Sequence, residues 1–308
     1  MYEEFFGLTR SPFQLSPDPS LVVATPQAKE VLSAIYYGVS GRKGFAVLTG
    51  EVGTGKTLIV RCLLELLGRQ NIPSANVFNP KLSPFDLLRY VAFDLGIRLE
   101  QPTKGDLLQA LYKFLVSQLQ LGLTTVIVVD EAHQLSPAVL EEIRLLTNLE
   151  TAQQKLLQVL LVGQPELDTT LESFEFRQLK QRVAIRCNLE PLNRDHTTLY
   201  VKRRLLLAGA QSDPGSIFPE PTIDAIYRYS RGVPRVINNV CDQALTAGFA
   251  RQMNTIHSGI IQEVALNLKL QSFTTDQIGK AISPSHEQVM AARALLQNLH
   301  RSHKVRSS

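Results

Sequence analysis

Three cysteines are all that 308 residues supply, and Cys62, Cys187 and Cys241 lie too far apart to share a metal-ligand spacing. An odd number of scattered thiols excludes a disulfide framework and a zinc cluster, fits a reducing compartment, and leaves all three expected buried or inert. Long apolar runs are missing too. No stretch approaches the ~20 residues needed to cross a bilayer, and the acidic start Met1-Tyr2-Glu3-Glu4-Phe5-Phe6 lacks the basic and apolar regions of a signal peptide. The expected location is therefore the cytoplasm, with any membrane association made through a partner. Net charge is scarce: 32 Lys and Arg against 28 Asp and Glu give +4, which suits a phosphate-bearing ligand but does not establish nucleic-acid binding. Internal repeats and low-complexity tracts are absent. With 44% hydrophobic and 19% charged residues, the chain is long enough for one α/β core plus a smaller unit.

Turn formers dominate the first segment, Ser11-Pro12-Phe13 and Ser16-Pro17-Asp18-Pro19-Ser20, and helical spacing follows from Gln27 to Val39, so residues 1–40 read as an extended arm and a leading helix. From Gly44 the pattern becomes strand, glycine loop, helix: Phe45 to Thr49, then the loop, then an apolar helix through Leu67 that stops at Gly68. A weaker strand is expected near Ser74 to Phe78, with helices from Pro84 to Leu95 and Lys104 to Leu119. Thr124 to Val129 is a continuous β-branched run without polar alternation, and Leu156 to Val162 repeats that signature, as in parallel strands covered on both faces. A helix from Pro137 to Leu149 separates them, and Val183 to Leu189 is a further strand. Alternating strands and helices over 41–190 predict an α/β fold with a doubly wound parallel sheet. Beyond Pro191 the strand signals end, and helices at 194–208, 220–230, 235–251 and 258–268 predict a helical lid over 191–270. Residues 271–308 form a basic tail, five Lys or Arg against two acids, with a last helix from Pro284 to Leu299. Its end, His300 to Arg306, either meets an acidic partner or is simply solvated, as terminal charge runs commonly are.

Gly50-Glu51-Val52-Gly53-Thr54-Gly55-Lys56-Thr57 matches the phosphate-loop pattern G-x-x-x-x-G-K-[ST] in its required place between a strand and a helix, and Leu58 follows it as the helix continues. Glycines let successive amides turn toward phosphate oxygens, and the helix start adds its positive dipole end. Lys56 is expected to reach the β- and γ-phosphates, and Thr57 to ligate Mg²⁺ of a bound ATP. Val126-Ile127-Val128-Val129-Asp130-Glu131 ends a buried strand in two acids at the sheet edge where ligands bind. Asp130 is expected to hold the magnesium and Glu131 to polarise the attacking water; the plainer alternative is that the pair caps the next helix. Gln164 ends the Leu160-Leu161-Val162-Gly163 strand, where it either faces the γ-phosphate or serves a turn. Arg177 and Arg182 lie before the last strand, where one of them can reach a neighbouring subunit; a surface salt bridge is the alternative for each. Arg235, after Gly232-Val233-Pro234, opens a lid helix and either touches the γ-phosphate or stays on the helix surface.

These residues together resemble the ExeA/GspA-like AAA+ ATPases, associated with general secretion and related assembly systems. The resemblance runs from about Phe5 to Leu270. It is carried by Phe6-Gly7-Leu8, Ser11-Pro12-Phe13, Pro17-Asp18-Pro19, the phosphate loop, Asp130-Glu131-Ala132-His133, Val162-Gly163-Gln164-Pro165-Glu166-Leu167, Gln178-Leu179-Lys180-Gln181-Arg182, Leu189-Glu190-Pro191-Leu192 and Gly232-Val233-Pro234-Arg235-Val236-Ile237-Asn238. It implies Gln164 as sensor 1, Arg182 as the arginine finger, Arg235 as sensor 2 and Phe13 bordering the adenine. It further implies a homo-oligomer, ring or filament, formed with ATP, and a protein partner in a secretion or assembly system. Secretion-type members often continue into a membrane segment and an envelope-binding domain. Transposition ATPases of the TnsC and MuB type are similar in their core and often of this length. They make double-stranded DNA the alternative partner, with Lys202, Arg203 and Arg204 as candidate phosphate contacts.

Overall fold

A computed structural model describes residues 1–14, 23–78, 81–210 and 213–272. Five strands, β1 (Phe45–Thr49), β2 (Ser74–Val77), β3 (Thr125–Val129), β4 (Leu157–Gly163) and β5 (Val183–Asn188), form one sheet in the order β2-β3-β4-β1-β5. Every pairing is parallel. Successive strand side chains point to opposite faces, and β1, β3 and β4 are buried along their whole length. Phe45, Val47, Ile127, Val129, Val159 and Leu161 enter one core. Ala46, Leu48, Val126, Val128, Leu160 and Val162 enter the other. A strand buried at every position, and apolar at most of them, is the sequence's way of feeding two cores at once.

The helices covering these faces are started by local chemistry. Thr25 accepts from Ala28 N–H at 3.2 Å, with Pro26 in the first turn, to begin α2 (Pro26–Ser40). The phosphate loop leads into α3 (Lys56–Arg69), which packs with α2 on one face through Ile35, Leu63 and Leu67. On the other face lie α4 (Pro84–Asp94), capped by Ser83, α5 (Lys104–Gln120), started by a reciprocal Thr103–Asp106 capping box, and α6 (Pro137–Leu146). The β2 edge is guarded by α4: Asp94 accepts from Asn76 N–H at 2.7 Å, and Tyr90 O–H donates to Asn76 C=O at 3.2 Å.

A third core is helical, built by α9 (Arg194–Leu207), α10 (Pro214–Ile217), α11 (Glu220–Ser230), α12 (Pro234–Ala250) and α13 (Ser258–Asn267). The first residues of the chain complete it. They are not an extended arm: α1 (Tyr2–Phe5) is one helical turn, and Phe6, Leu8 and Phe13 are buried in the lid core. Thr9 N–H donates to Ala208 C=O at 2.8 Å, and Tyr2 O–H donates to Asp242 at 2.5 Å. Other expectations shift at boundaries. The α3 helix passes through Gly68 to Arg69, because a glycine in a helix whose apolar face is buried costs only ~1 kcal/mol. The α6 helix ends at Leu146, and α7 (Glu166–Glu172), α8 (Arg177–Lys180) and α10 are additional short turns. Pro17-Asp18-Pro19, the 284–299 helix and the basic tail lie outside the described residues.

Candidate nucleotide site

Strand order gathers the site. Because β4 lies between β1 and β3, with Thr49 opposite Gly163 and Val129 opposite Leu161, three carboxyl ends emerge side by side. They deliver the phosphate loop, Asp130-Glu131 and Gln164 to one edge, where ligands of open α/β sheets bind.

Within the loop, Gly55 takes φ 107° as the residue before α3, a left-handed conformation that side chains resist. Gly53, at φ 82°, is needed twice over, since a Cβ there would sit 2.7 Å from Arg235 Cβ. Lys56 is 8% exposed and its Nζ donates to the carbonyls of Gly50 at 2.7 Å and Glu51 at 2.9 Å. Burial lowers its pKa, and the opposing charges of Glu131, Asp130, Glu51 and Glu166 offset part of that shift. Thr54 is buried, while Glu51 and Val52 form the exposed tip and Thr57 and Leu58 start α3 half-buried. Thr57 O–H donates to Asp130 Oδ2 at 3.1 Å, and Asp130, 7% exposed, accepts Glu131 N–H on its other oxygen at 2.9 Å. A hydroxyl and one carboxylate are the hard oxygens magnesium asks of a protein when phosphates and water complete its shell. Among the described residues no cluster of three or more His, Cys, Asp or Glu side chains offers a rival metal site.

Glu131 takes the left-handed conformation, φ 53°, as the chain leaves β3 into a short 3-10 turn, Ala132–Gln134. Its carboxylate is 44% exposed and lies 3.5 Å from Nδ1 of His133. Gln164 N–H donates to that same Nδ1 at 3.3 Å, and the Gln164 side-chain amide meets His133 Nε2 at 3.0 Å. The sequence reading gave His133 no role. Its signal was the missing side chain at Gly163, where a Cβ would stand 3.1 Å from His133 N and hold the turn off β4.

Arg235 N–H donates to Gly53 C=O at 3.2 Å, so the first turn of α12 rests on the phosphate loop. The turn before it is held as tightly: Leu192 N–H donates to Gly232 C=O at 2.9 Å, and a Cβ on Gly232 would meet Leu192 O at 1.7 Å. Arg182 and Arg177 make their contacts elsewhere. Arg182 donates to Thr147 Oγ1 at 2.8 Å, and the Arg177 guanidinium stacks 4.3 Å from the ring of Phe174, which is 79% exposed.

Two expectations are corrected. Phe13 is 1% exposed and packs edge-on to Phe218 at 6.1 Å, so its ring belongs to the lid core and has no free face for an adenine. Of Lys202, Arg203 and Arg204, the last is buried and is no surface phosphate contact, while Arg203 is exposed. Arg204 is buried against Tyr200 and donates to Gln14 C=O at 3.1 Å, and Lys202 pairs with Glu220 at 3.6 Å. A separate cavity of about 600 Å³ lies under α4 and the turn into α5, lined by Tyr90, Phe93, Arg98 and Leu99, remote from the phosphate loop in sequence and in fold.

An AAA domain family matches residues 39–171. General secretion pathway protein A of Aeromonas hydrophila is 42% identical over 266 residues, 86% of this chain and 48% of that protein. ATP-dependent target DNA activator B of Escherichia phage Mu is 30% identical over 130 residues, 42% of this chain and 39% of that protein. The chain thus spans about half the length of the first relative or less of the second. Among solved structures, Cdc6p from Pyrobaculum aerophilum superposes with a TM-score of 0.63 at 19% identity, covering 93% of this chain and 78% of that one, a likeness of fold. No helix among the described residues is long and apolar enough to cross a membrane.

Proposed function

We propose that this chain, 42% identical over 266 residues to a general secretion pathway protein A and carrying an AAA domain over residues 39–171, is an AAA+ ATPase of the ExeA/GspA type that binds Mg-ATP and hydrolyses it to drive assembly of a partner complex. The observation that carries the reading is the convergence of Lys56, Thr57, Asp130, Glu131 and Gln164 on one sheet edge. In this reading the loop amides of 50–58 and Lys56 hold the β- and γ-phosphates. Thr57 and Asp130 would hold magnesium, which would supply neutralisation of the phosphate charge. Glu131, solvent-accessible at the strand end, takes the proton of the attacking water, and Gln164 orients that water or the γ-phosphate. Arg235 reports the nucleotide to the lid through the turn that rests on Gly53. Arg182, or Arg177 on its exposed aromatic support, completes the charge stabilisation at a neighbour's site, which makes turnover depend on oligomerisation.

The 42% identity to a general secretion pathway protein supports an assembly or secretion partner. The shorter match to a target DNA activator supports a second reading, a DNA-bound regulator of transposition. Steady-state ATPase activity with and without double-stranded DNA, alongside light scattering at two salt concentrations, separates them. Turnover and assembly indifferent to DNA are expected. DNA-stimulated turnover with salt-sensitive assembly overturns the first reading in favour of the second.

A further inference from the structure

His133 holds two members of the site at once, and its ring cannot serve both in the same protonation form. Nδ1 receives two approaches: Gln164 N–H, a donor, at 3.3 Å, and the Glu131 carboxylate, an acceptor, at 3.5 Å. A neutral imidazole carries one N–H and one acceptor nitrogen, so the choice at Nδ1 dictates the opposite choice at Nε2. When Nδ1 carries the proton and faces Glu131, Nε2 is the acceptor, and the Gln164 amide must turn its NH₂ to the ring across the 3.0 Å contact. When Nδ1 accepts the Gln164 backbone N–H, Nε2–H is the donor, and the amide must turn its oxygen to the ring. Its NH₂ is then the end that faces away, a donor of the kind a phosphate oxygen or an attacking water accepts.

We propose that His133 is a positioning residue that couples Glu131 to Gln164 through its tautomer, so that Gln164 presents its amide N–H outward only when Glu131 has left the ring. The proposal rests on the hydrolysis reading and adds to it the order in which the site is made ready. The tautomers interconvert by exchanging one proton with water, without net charge. His133 is only 12% exposed at its side chain, and it sits where β3 and β4 deliver their loops, so each tautomer has a fixed partner on either side.

Two substitutions divide the ring's contacts. Asparagine places an amide near Nδ1 and keeps an acceptor for Gln164 N–H, but cannot reach the Gln164 side chain. Glutamine reaches the position of Nε2. With the full chain, His133→Asn is expected to lower kcat for ATP about 10-fold, the lower end of what the loss of a residue supporting the reacting groups costs, with KM and melting temperature unchanged. His133→Gln restores only the contact to the Gln164 side chain, with no group at Nδ1 and no tautomer to switch, so it should recover little of the loss, and full recovery overturns the coupling. The double variant H133N/Q164A should be no slower than Q164A alone. Wild-type kcat in H133N, or losses that multiply in the double variant, overturns the coupling, since a merely structural histidine predicts either. Nitrogen chemical shifts of the ring give a readout independent of turnover: the tautomer is expected to change when Mg²⁺ and a non-hydrolysable ATP analogue are added, and an unchanged tautomer overturns the proposal. A wild-type chain that binds ATP but never hydrolyses it removes the underlying reading instead, which an active wild type with an indifferent H133N does not.

Discussion

The sheet and the helical lid solve the same problem of closing a core by opposite means. Each central strand of the sheet alternates between two cores, so the covering of both faces is encoded within a few consecutive residues. The lid core is closed by residues from the far end of the chain, with Phe6, Leu8 and Phe13 set among α9 to α13. Local periodicity therefore suffices to specify the sheet, whereas the lid depends on a pairing that no window of sequence contains. The nucleotide site lies on the sheet side of this division and touches the lid through Arg235 and Gly53.

The sharpest test of that division is chemical. Glu131→Gln should cut ATP turnover on the order of 10²–10⁴-fold, as expected for a lost general base, while nucleotide stays bound and sheet and lid keep their melting behaviour. Unaltered turnover would sink the assignment of the base. Next comes Phe13→Ala, which should cost roughly 3–5 kcal/mol, the usual range for truncating a buried phenylalanine, and should do so in the lid alone. The thiols report this separately. Cys241 is fully buried in the lid and burial pushes its pKa well up, while Cys62 and Cys187 sit half-buried on the sheet side. Thiol labelling should accelerate at Cys241 and stay unchanged at the other two; equal acceleration at all three would mean that one cooperative unit spans sheet and lid.

A smaller effect, about 1 kcal/mol, is expected from Tyr2→Phe, which removes the hydroxyl that bonds to both Asp242 and Ser11. Its pH dependence is the more telling part. Burial, then the bond to Asp242, raises the Tyr2 pKa above the ordinary tyrosine value. A raised folded pKa means that the stabilisation is complete below the unfolded value of about 10 and is lost as pH climbs toward the folded one. Hydrogen exchange at α12 should therefore increase above about pH 10 in the wild type, and Tyr2→Phe should flatten that rise. An identical rise in both proteins would detach the arm from the lid's stability.

Most of the sheet and the inner part of the site were legible because their signals are local. Continuous apolar strands, the glycine spacing of the loop and two acids at a strand end each announce themselves within a few residues. The position of Gln164 beside them was legible as well, given a strand inserted next to β3. What escaped depends on contacts between distant segments. Phe13 reads as a loop aromatic until Phe218 is brought against it, and Arg204 looks like part of a basic stripe until Tyr200 and Gln14 enclose it. His133 was invisible for a related reason: its importance follows from the Gln164 contact across two strands, not from its own neighbours in sequence.

The seating of the first fourteen residues in the lid also fixes a sequence of events during synthesis. Those residues leave the ribosome well before their partners, Ala208, Phe218 and Asp242, which emerge some two hundred residues later. The sheet has all its strands by Asn188 and can form while translation continues. Until α12 is made, the apolar side chains of α1 and Phe13 lack the core that buries them, so the nascent chain carries an unsheathed hydrophobic segment while the sheet and most of the lid are synthesised, and the finished lid reclaims it.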